Sequence, residues 1–332
     1  MDLLNNLWSE IVGFFGVRQF LEILTQGEAE KFMTYEGIVA LIIPVIPLLI
    51  VLELILGFIY KKPQTKVYKV IFLIYLFNRI VGRFIALGVV AFCIGVFQPL
   101  ALLQTSMTWY WFIYGYIAWE FAHFIYHFLA HKVRLLWCLH ATHHSPEEMN
   151  LSVTHAHFFL EAPYADLIRT SICIFLGVEP VLLFTIMFID GTYGAFIHVG
   201  ENLIRDARFG FLNKLMLTPS HHRVHHASNP LYIDTNYCNL LNIWDRIFGT
   251  YQEEDPKMEI KYGVTRPINS GNFIDVYFGE IINLTKDVIH APGFINKLKY
   301  IFYPPGWSHT GEHKTAKRIR AAYLMLQKPS QQ

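Results

Sequence analysis

The chain has 332 residues, of which 53% are hydrophobic and 16% charged, and its mean hydropathy is +0.33. Soluble domains keep charged residues near about a quarter, so this composition argues against a soluble single-core domain and for a membrane protein. The formal net charge of +1 gives no electrostatic reason to expect nucleic acid or an acidic protein partner.

In chain order, residues 1–36 form an N-terminal segment. Its opening, Leu3 to Thr25, mixes Trp8, Phe14, Phe15 and Phe20 with Glu10, Arg18 and Glu22. That pattern predicts an amphipathic interfacial helix rather than a cleaved signal. Gly37 to Phe58 is apolar and ends at Tyr60, Lys61 and Lys62; roughly 22 helical residues, about 33 Å, are enough to cross a bilayer. Lys66 to Arg83 is apolar but carries four basic residues and reads as surface-lying. A second span is expected over Phe84–Leu103 and a third over Trp109–Ile125, joined as an antiparallel hairpin by Gln104–Thr108. Leu167 to Ile197 is apolar again but interrupted by Gly177, Glu179 and Pro180, which favours a second hairpin over one long helix.

From Glu201 onward the chain is mixed and soluble-like, broken by Pro267, Pro292, Pro304 and Pro305. The prediction is an all-α integral membrane protein with about four transmembrane helices in two hairpins and a cytoplasmic, helical, histidine-rich cap. Residues 37–307 form the membrane domain and 308–332 a basic tail. Lys61, Lys62, Lys66 and Lys69 place the first link in the cytoplasm by the positive-inside rule, and the parity of crossings then puts every histidine cluster on that side. The four cysteines, Cys93, Cys138, Cys173 and Cys238, form no CxxC pair and read as buried thiols.

The sixteen histidines carry the chemistry. None precedes His123, and thirteen fall between His123 and His226; side chains placed for packing alone would not segregate so. His123, His127 and His131 are four residues apart, on one helix face. His140, His143 and His144, then His222, His225 and His226, repeat the spacing HxxHH, and on a helix such residues converge. His198 stands alone between them. One histidine on an apolar face is usually a packing residue, and one HxxxH pair says little; two HxxHH triplets with an HxxxH pair are a metal signature. Imidazole suits iron, zinc, copper and nickel, and about nine of them exceed what a single zinc uses. Two metal ions with open positions fit the number, and redox-active iron would permit O2 chemistry. His123, His155, His157 and His221 are left between outer contact, substrate contact and packing. His290, His309 and His313 read as surface residues.

The order HxxxH, HxxHH, HxxHH over four spans resembles the fatty acid hydroxylase/sterol desaturase superfamily. Further segments resemble its alkylglycerol monooxygenase branch and the bacterial relatives of that branch: TPSHHRVHH at 218–226, DTNY at 234–237, IWDRIFGT at 243–250, YGVTRPI at 262–268, APGF at 291–294 and PPGW at 304–307. The chain departs from the pattern at Phe128, where relatives carry arginine, and at Thr154–His157.

The resemblance implies a non-haem di-iron centre held by His127, His131, His140, His143, His144, His198, His222, His225 and His226. It implies an O2-dependent oxidoreductase that hydroxylates a lipid, first an alkylglycerol-type ether lipid with release of a fatty aldehyde. Tetrahydrobiopterin or a redox protein would be the external electron donor. Glu120, Glu201, Asn202, Asp234 and Asn236 are the candidate catalytic polar residues, and the hairpins would form an apolar slot leading to the histidines, with Glu120, Glu201 and Asn202 near its mouth. The membrane would be a bacterial inner membrane, or endoplasmic reticulum in a eukaryote. Two alternatives stand beside this: a hydroxylase or desaturase of a sterol, carotenoid or fatty acyl lipid, and, from another class, a histidine-rich metal transporter. A transporter would place its ligands inside the spans, whereas most histidines here follow them.

Overall fold

The computed structural model describes residues 8–9, 12–13, 17–27, 31, 35–81 and 83–327. Of the expected N-terminal amphipathic stretch, Arg18–Thr25 is a helix, α1, while residues 1–7, 10–11 and 14–16 lie outside the described residues. Helices α2 (Tyr35–Ile42) and α3 (Val45–Ile59) follow, separated at Pro44, whose ring removes a backbone donor from the ladder. Together, Val39–Ile59 is the one helix among the described residues that is long and apolar enough to cross a membrane.

Helices α4 (Thr65–Val81) and α5 (Arg83–Phe97) pass the same test only as one span bent by 56°. Val67, Val70, Ile71 and Ile74 of α4 are buried in a stripe at helical spacing, while Phe72, Leu73, Leu76 and Ile80 are exposed, so α4 has an inward and an outward apolar face. Then come α6 (Trp109–Lys132), α7 (Arg134–His144), α8 (Glu161–Phe175) and α9 (Pro180–Phe196). The expected interruption between α8 and α9 is a turn in which Gly177 takes φ +87 and a Cβ would sit 2.1 Å from the Leu103 carbonyl oxygen; only glycine fits there. That close approach joins the α8–α9 turn to the link before α6: Thr105 N donates to Gly177 O at 3.2 Å and Glu179 N to Thr105 Oγ1 at 2.8 Å.

The expected slot between the hairpins is instead a packed core. Tyr116, Trp119 and Ala122 of α6 meet Cys173 and Ile174 of α8 and Leu182, Leu183 and Ile186 of α9. Small residues let the helices approach; a Cβ on Gly115 would lie 2.9 Å from Ile186 Cδ1.

The other end of the bundle is built from short elements: α10 (Pro219–His225), α11 (Ile243–Phe248), α12 (Phe273–His290), α13 (Gly293–Phe302) and α14 (Ala316–Leu326). The described residues contain no strand, only isolated bridges such as Met216 with Leu241. The basic link after α3 lies at this end. Asn150 Nδ2 donates to Gln64 Oε1 at 2.7 Å, and buried Glu53 accepts from Leu151 N and Gly200 N, each at 2.7 Å. The link and the histidines therefore share one end of the molecule.

Candidate metal centre

Four elements bring the histidines together. His127 and His131 are one turn apart on α6. Val133 is extended (φ −116, ψ 119), breaking the helix so that α7 turns His140, His143 and His144 back toward them. His222, His225 and His226 lie on and just after α10, and His198 follows α9. Helix α10 starts with Pro219 after a capping box between Thr218 and His221. His221 Nδ1 accepts from Thr218 N at 3.1 Å and its Nε2 lies 2.8 Å from Tyr251 Oη; this histidine shapes the helix start and is not part of either cluster.

The nine remaining cluster histidines fall into two groups. His127, His131, His140, His144 and His225 form one, and His143, His198, His222 and His226 the other; within each group, ligand atoms lie within 4.8 Å of one another. All nine are buried. They are the nine positions that the superfamily resemblance singles out.

The outer hydrogen bonds set the tautomers. Nδ1 of His127 donates to Tyr237 O at 2.9 Å, that of His225 to Thr235 O at 2.8 Å, that of His198 to Gly194 O at 2.6 Å and that of His140 to Glu161 Oε1 at 2.5 Å. A proton fixed on Nδ1 leaves Nε2 as a bare lone pair. Yet Nε2 of His127 and Nε2 of His140 face each other at 3.0 Å. Two lone pairs at that distance repel unless a cation lies between or beside them. Nε2 of His131 and of His225 are likewise buried without a hydrogen-bond partner. Polar atoms are rarely left so, and a metal ion would satisfy all four. Burial, reinforced by repulsion between neighbouring imidazoles, holds His127, His131, His143, His144, His222 and His226 well below the usual histidine range. Burial drives His198 and His225 down to about 3, against the opposing pull of their backbone carbonyls. Burial thus favours the neutral imidazole at these eight positions, the form that ligates metal.

The five polar candidates are placed as follows. Glu120 is fully buried and accepts from three backbone donors, Asn239 N at 3.2 Å, Leu240 N at 2.7 Å and Leu241 N at 2.9 Å. Asn236 bonds His221 O at 3.0 Å and Gln252 O at 2.8 Å. Asp234 pairs with Lys132 and lies 3.5 Å from His131 Nδ1; burial pushes its carboxyl up, against the lowering effect of Lys132. Glu201 accepts from Tyr262 Oη at 2.5 Å, and Asn202 reaches Lys62 O at 3.5 Å. Glu120 and Asn236 thus hold the 234–241 loop, whose carbonyls orient His127 and His225. Asp234 and Asn236 sit at φ 62 and φ 58, a conformation that Asn and Asp tolerate best after Gly. Only Asp234 of the five is within ion-pair distance of a cluster histidine.

Sequence reasoning missed two carboxylates. Glu161 takes His140 Nδ1 on one oxygen and His157 Nδ1 on the other at 2.8 Å, and also accepts from Tyr126 Oη at 2.9 Å. Burial raises its pKa, but His157 and His140 outweigh that and hold it well below the usual carboxylate range. His157 stacks on His143 with ring centroids 4.4 Å apart. Asp245 accepts from Tyr237 N and Cys238 N, each at 2.8 Å, and so fixes the same loop from the other side. The available signal was an isolated acid opening an apolar helix (Glu161) and the aspartate of IWDRIFGT. Of the remaining histidines, His123 Nδ1 is 4.0 Å from Asp190 Oδ2, and His155 sits edge-on to Tyr75.

A cavity of about 520 Å³ adjoins the five-histidine group. His131, His144 and His225 line it; none of the four-histidine group does.

Residues 111–250 match the family model for fatty acid hydroxylase. The matched stretch is 140 of the chain's 332 residues. It contains all nine histidines, Glu161, the 234–241 loop and Asp245. The chain is 35% identical over 207 residues to alkylglycerol monooxygenase of Homo sapiens, covering 62% of this chain and 44% of that protein. It is 32% identical over 236 residues to the Xenopus tropicalis enzyme, covering 67% and 51%. It is 29% identical over 160 residues to ornithine lipid hydroxylase OlsE of Rhizobium tropici, covering 48% and 47%. The chain spans about half the length of these curated relatives. No solved structure matches it.

Proposed function

We propose that this protein is a multi-pass membrane oxidoreductase in which the nine histidines hold two iron ions and a lipid is hydroxylated with O2. The observation that carries the reading is the pair of buried histidine groups, five and four, with bare Nε2 lone pairs turned toward one another. Iron held there would supply O2 activation and electron transfer. The chain's own part is to fix the ligands: Glu161 and the carbonyls of Gly194, Thr235 and Tyr237 keep the protons on Nδ1, and outer partners of this kind set ligand orientation and basicity.

The preferred substrate is an alkylglycerol-type ether lipid, because the human and Xenopus tropicalis alkylglycerol monooxygenases match over 207 and 236 residues, against 160 for the ornithine lipid hydroxylase. The ether-bearing carbon gains one oxygen atom from O2, and the other leaves as water with two electrons from an external donor, tetrahydrobiopterin or a redox protein. The resulting hemiacetal parts into a fatty aldehyde and a glycerol. A second reading, hydroxylation of a different polar lipid, is favoured by the likeness to ornithine lipid hydroxylase. We place the fatty acid hydroxylase domain on four membrane spans with the histidine end in the cytoplasm.

The test is purified, iron-loaded protein with tetrahydrobiopterin, O2 and 1-O-hexadecylglycerol. Release of hexadecanal supports the ether-lipid reading. Hydroxylation of an ornithine, acyl or sterol lipid instead would replace the substrate. No oxidation of any lipid with any reductant would overturn the enzyme reading.

A further inference from the structure

The cavity beside the five-histidine group has a polarity of its own. His131, His144 and His225 are buried and form its floor, while Lys286 and Lys314 are exposed and stand at its rim. The acids that line it are already engaged. Asp234 pairs with Lys132, Glu280 with Arg266, and Asp287 with Arg134 Nη2 at 3.3 Å. Among the described residues, neither lysine ammonium has an ion-pair or hydrogen-bond partner, whereas Arg134 Nε lies 3.8 Å from Glu280 Oε2. The lining also has an apolar part, Trp137, Ile233, Val264 and Ile319, beside polar side chains such as Thr265 and Asn283. A volume of this size is in the range of a small-molecule site, roughly 300–1,000 Å³.

The surface next to the rim is also unusual. At the end of α12 and along α13, Ile289, Phe294, Ile295 and Phe302 are exposed, interleaved with Lys297 and Lys299. Apolar residues alternating with lysines are the pattern of a helix lying in a membrane interface.

We propose that this cavity binds a lipid amphiphile carrying one anionic headgroup, a phosphate or carboxylate, as the molecule that the histidine centre oxidises. The anion lies between Lys286 and Lys314, and the first part of the alkyl chain lies on Trp137, Ile233 and Val264, pointing toward His131, His144 and His225. Among the described residues, Lys286 and Lys314 are the lining cations without an acidic partner, and both are exposed, which keeps the headgroup at the rim. The carbon presented to the centre is then near the polar end of the chain, as cleavage at an ether carbon requires. The α12–α13 surface would deliver the lipid from the membrane. This deepens the proposed function and rests on it for the word oxidises; the binding itself is tested separately.

The experiment measures binding of 1-O-hexadecylglycerol-3-phosphate and of neutral 1-O-hexadecylglycerol to full-length protein in detergent. The wild type should bind the phosphate lipid about tenfold more tightly, ~1.4 kcal/mol. The Lys286→Glu, Lys314→Glu double variant should lose that preference while keeping its affinity for the neutral lipid, and the Lys286→Arg, Lys314→Arg variant should retain it. No preference in the wild type, or a preference that survives the Glu variant, overturns the proposal. Displacement by inorganic phosphate at the same concentration as the lipid would also overturn it, since the site would then serve a soluble anion. A wild type that oxidises both lipids at equal efficiency and binds them equally defeats the headgroup site alone. One that shows the binding preference but oxidises no lipid defeats the enzyme reading alone.

Discussion

The two histidine groups differ in what surrounds them. The five-histidine group opens through His131, His144 and His225 onto the cavity, whereas none of the four-histidine group lines it. His143 is stacked under His157, and His198 is held to the Gly194 carbonyl. One group, the open one, borders the cavity; the other, the closed one, does not. With two metals bound as proposed, only one would face a substrate in that cavity, the asymmetry that a single-site oxidation needs.

The largest effect expected follows from removing one ligand. His225→Ala should empty the open group and His226→Ala the closed one, each leaving about one metal per chain in place of two, and each abolishing turnover. Elemental analysis of the variants reads this, and loss of both metals from either single variant would show that the groups are not separate sites.

Next is Glu161→Ala. Glu161 holds His140 of the open group and, through His157, braces His143 of the closed one. Both metals should bind about 10–100-fold more weakly, read by competition with a chelator. Weakening at only one group would remove Glu161 as the shared support.

How far the sequence could go is clearest in this region. The spacing of HxxxH and HxxHH placed eight of the nine clustered histidines because helical periodicity is local. His198 has no spacing partner and enters the count of nine only by its place between the two HxxHH triplets. Glu161 was invisible because its histidine His140 is 21 residues away, and no local pattern links them. Glu120 stood out as an acid continuing an apolar helix, but its backbone partners lie 119 to 121 residues on, beyond any local pattern. The slot between the hairpins was misread because hydropathy reports apolar faces and not whether Gly115, Ala118 and Ala122 let them close.

Glu120→Ala should act on stability and on one group. It leaves three buried backbone donors unsatisfied, at about 1–3 kcal/mol for each unmade bond, in the loop whose Tyr237 carbonyl orients His127. Unfolding in detergent should occur at lower denaturant, and the open group should lose metal more readily than the closed one. Equal loss from both groups would mean the loop is not what distinguishes them. The smallest effect is expected at His290, an exposed side chain that bonds the Lys286 carbonyl of its own helix. His290→Ala should change stability by less than about 0.5 kcal/mol and leave both metals in place.

The central claim is that two metal ions, one in each histidine group, sit in one chain. Quantitative metal analysis of detergent-purified protein expressed with iron measures it directly. The account predicts two iron atoms per chain, whereas a value near one, or none with iron supplied in excess, would contradict it.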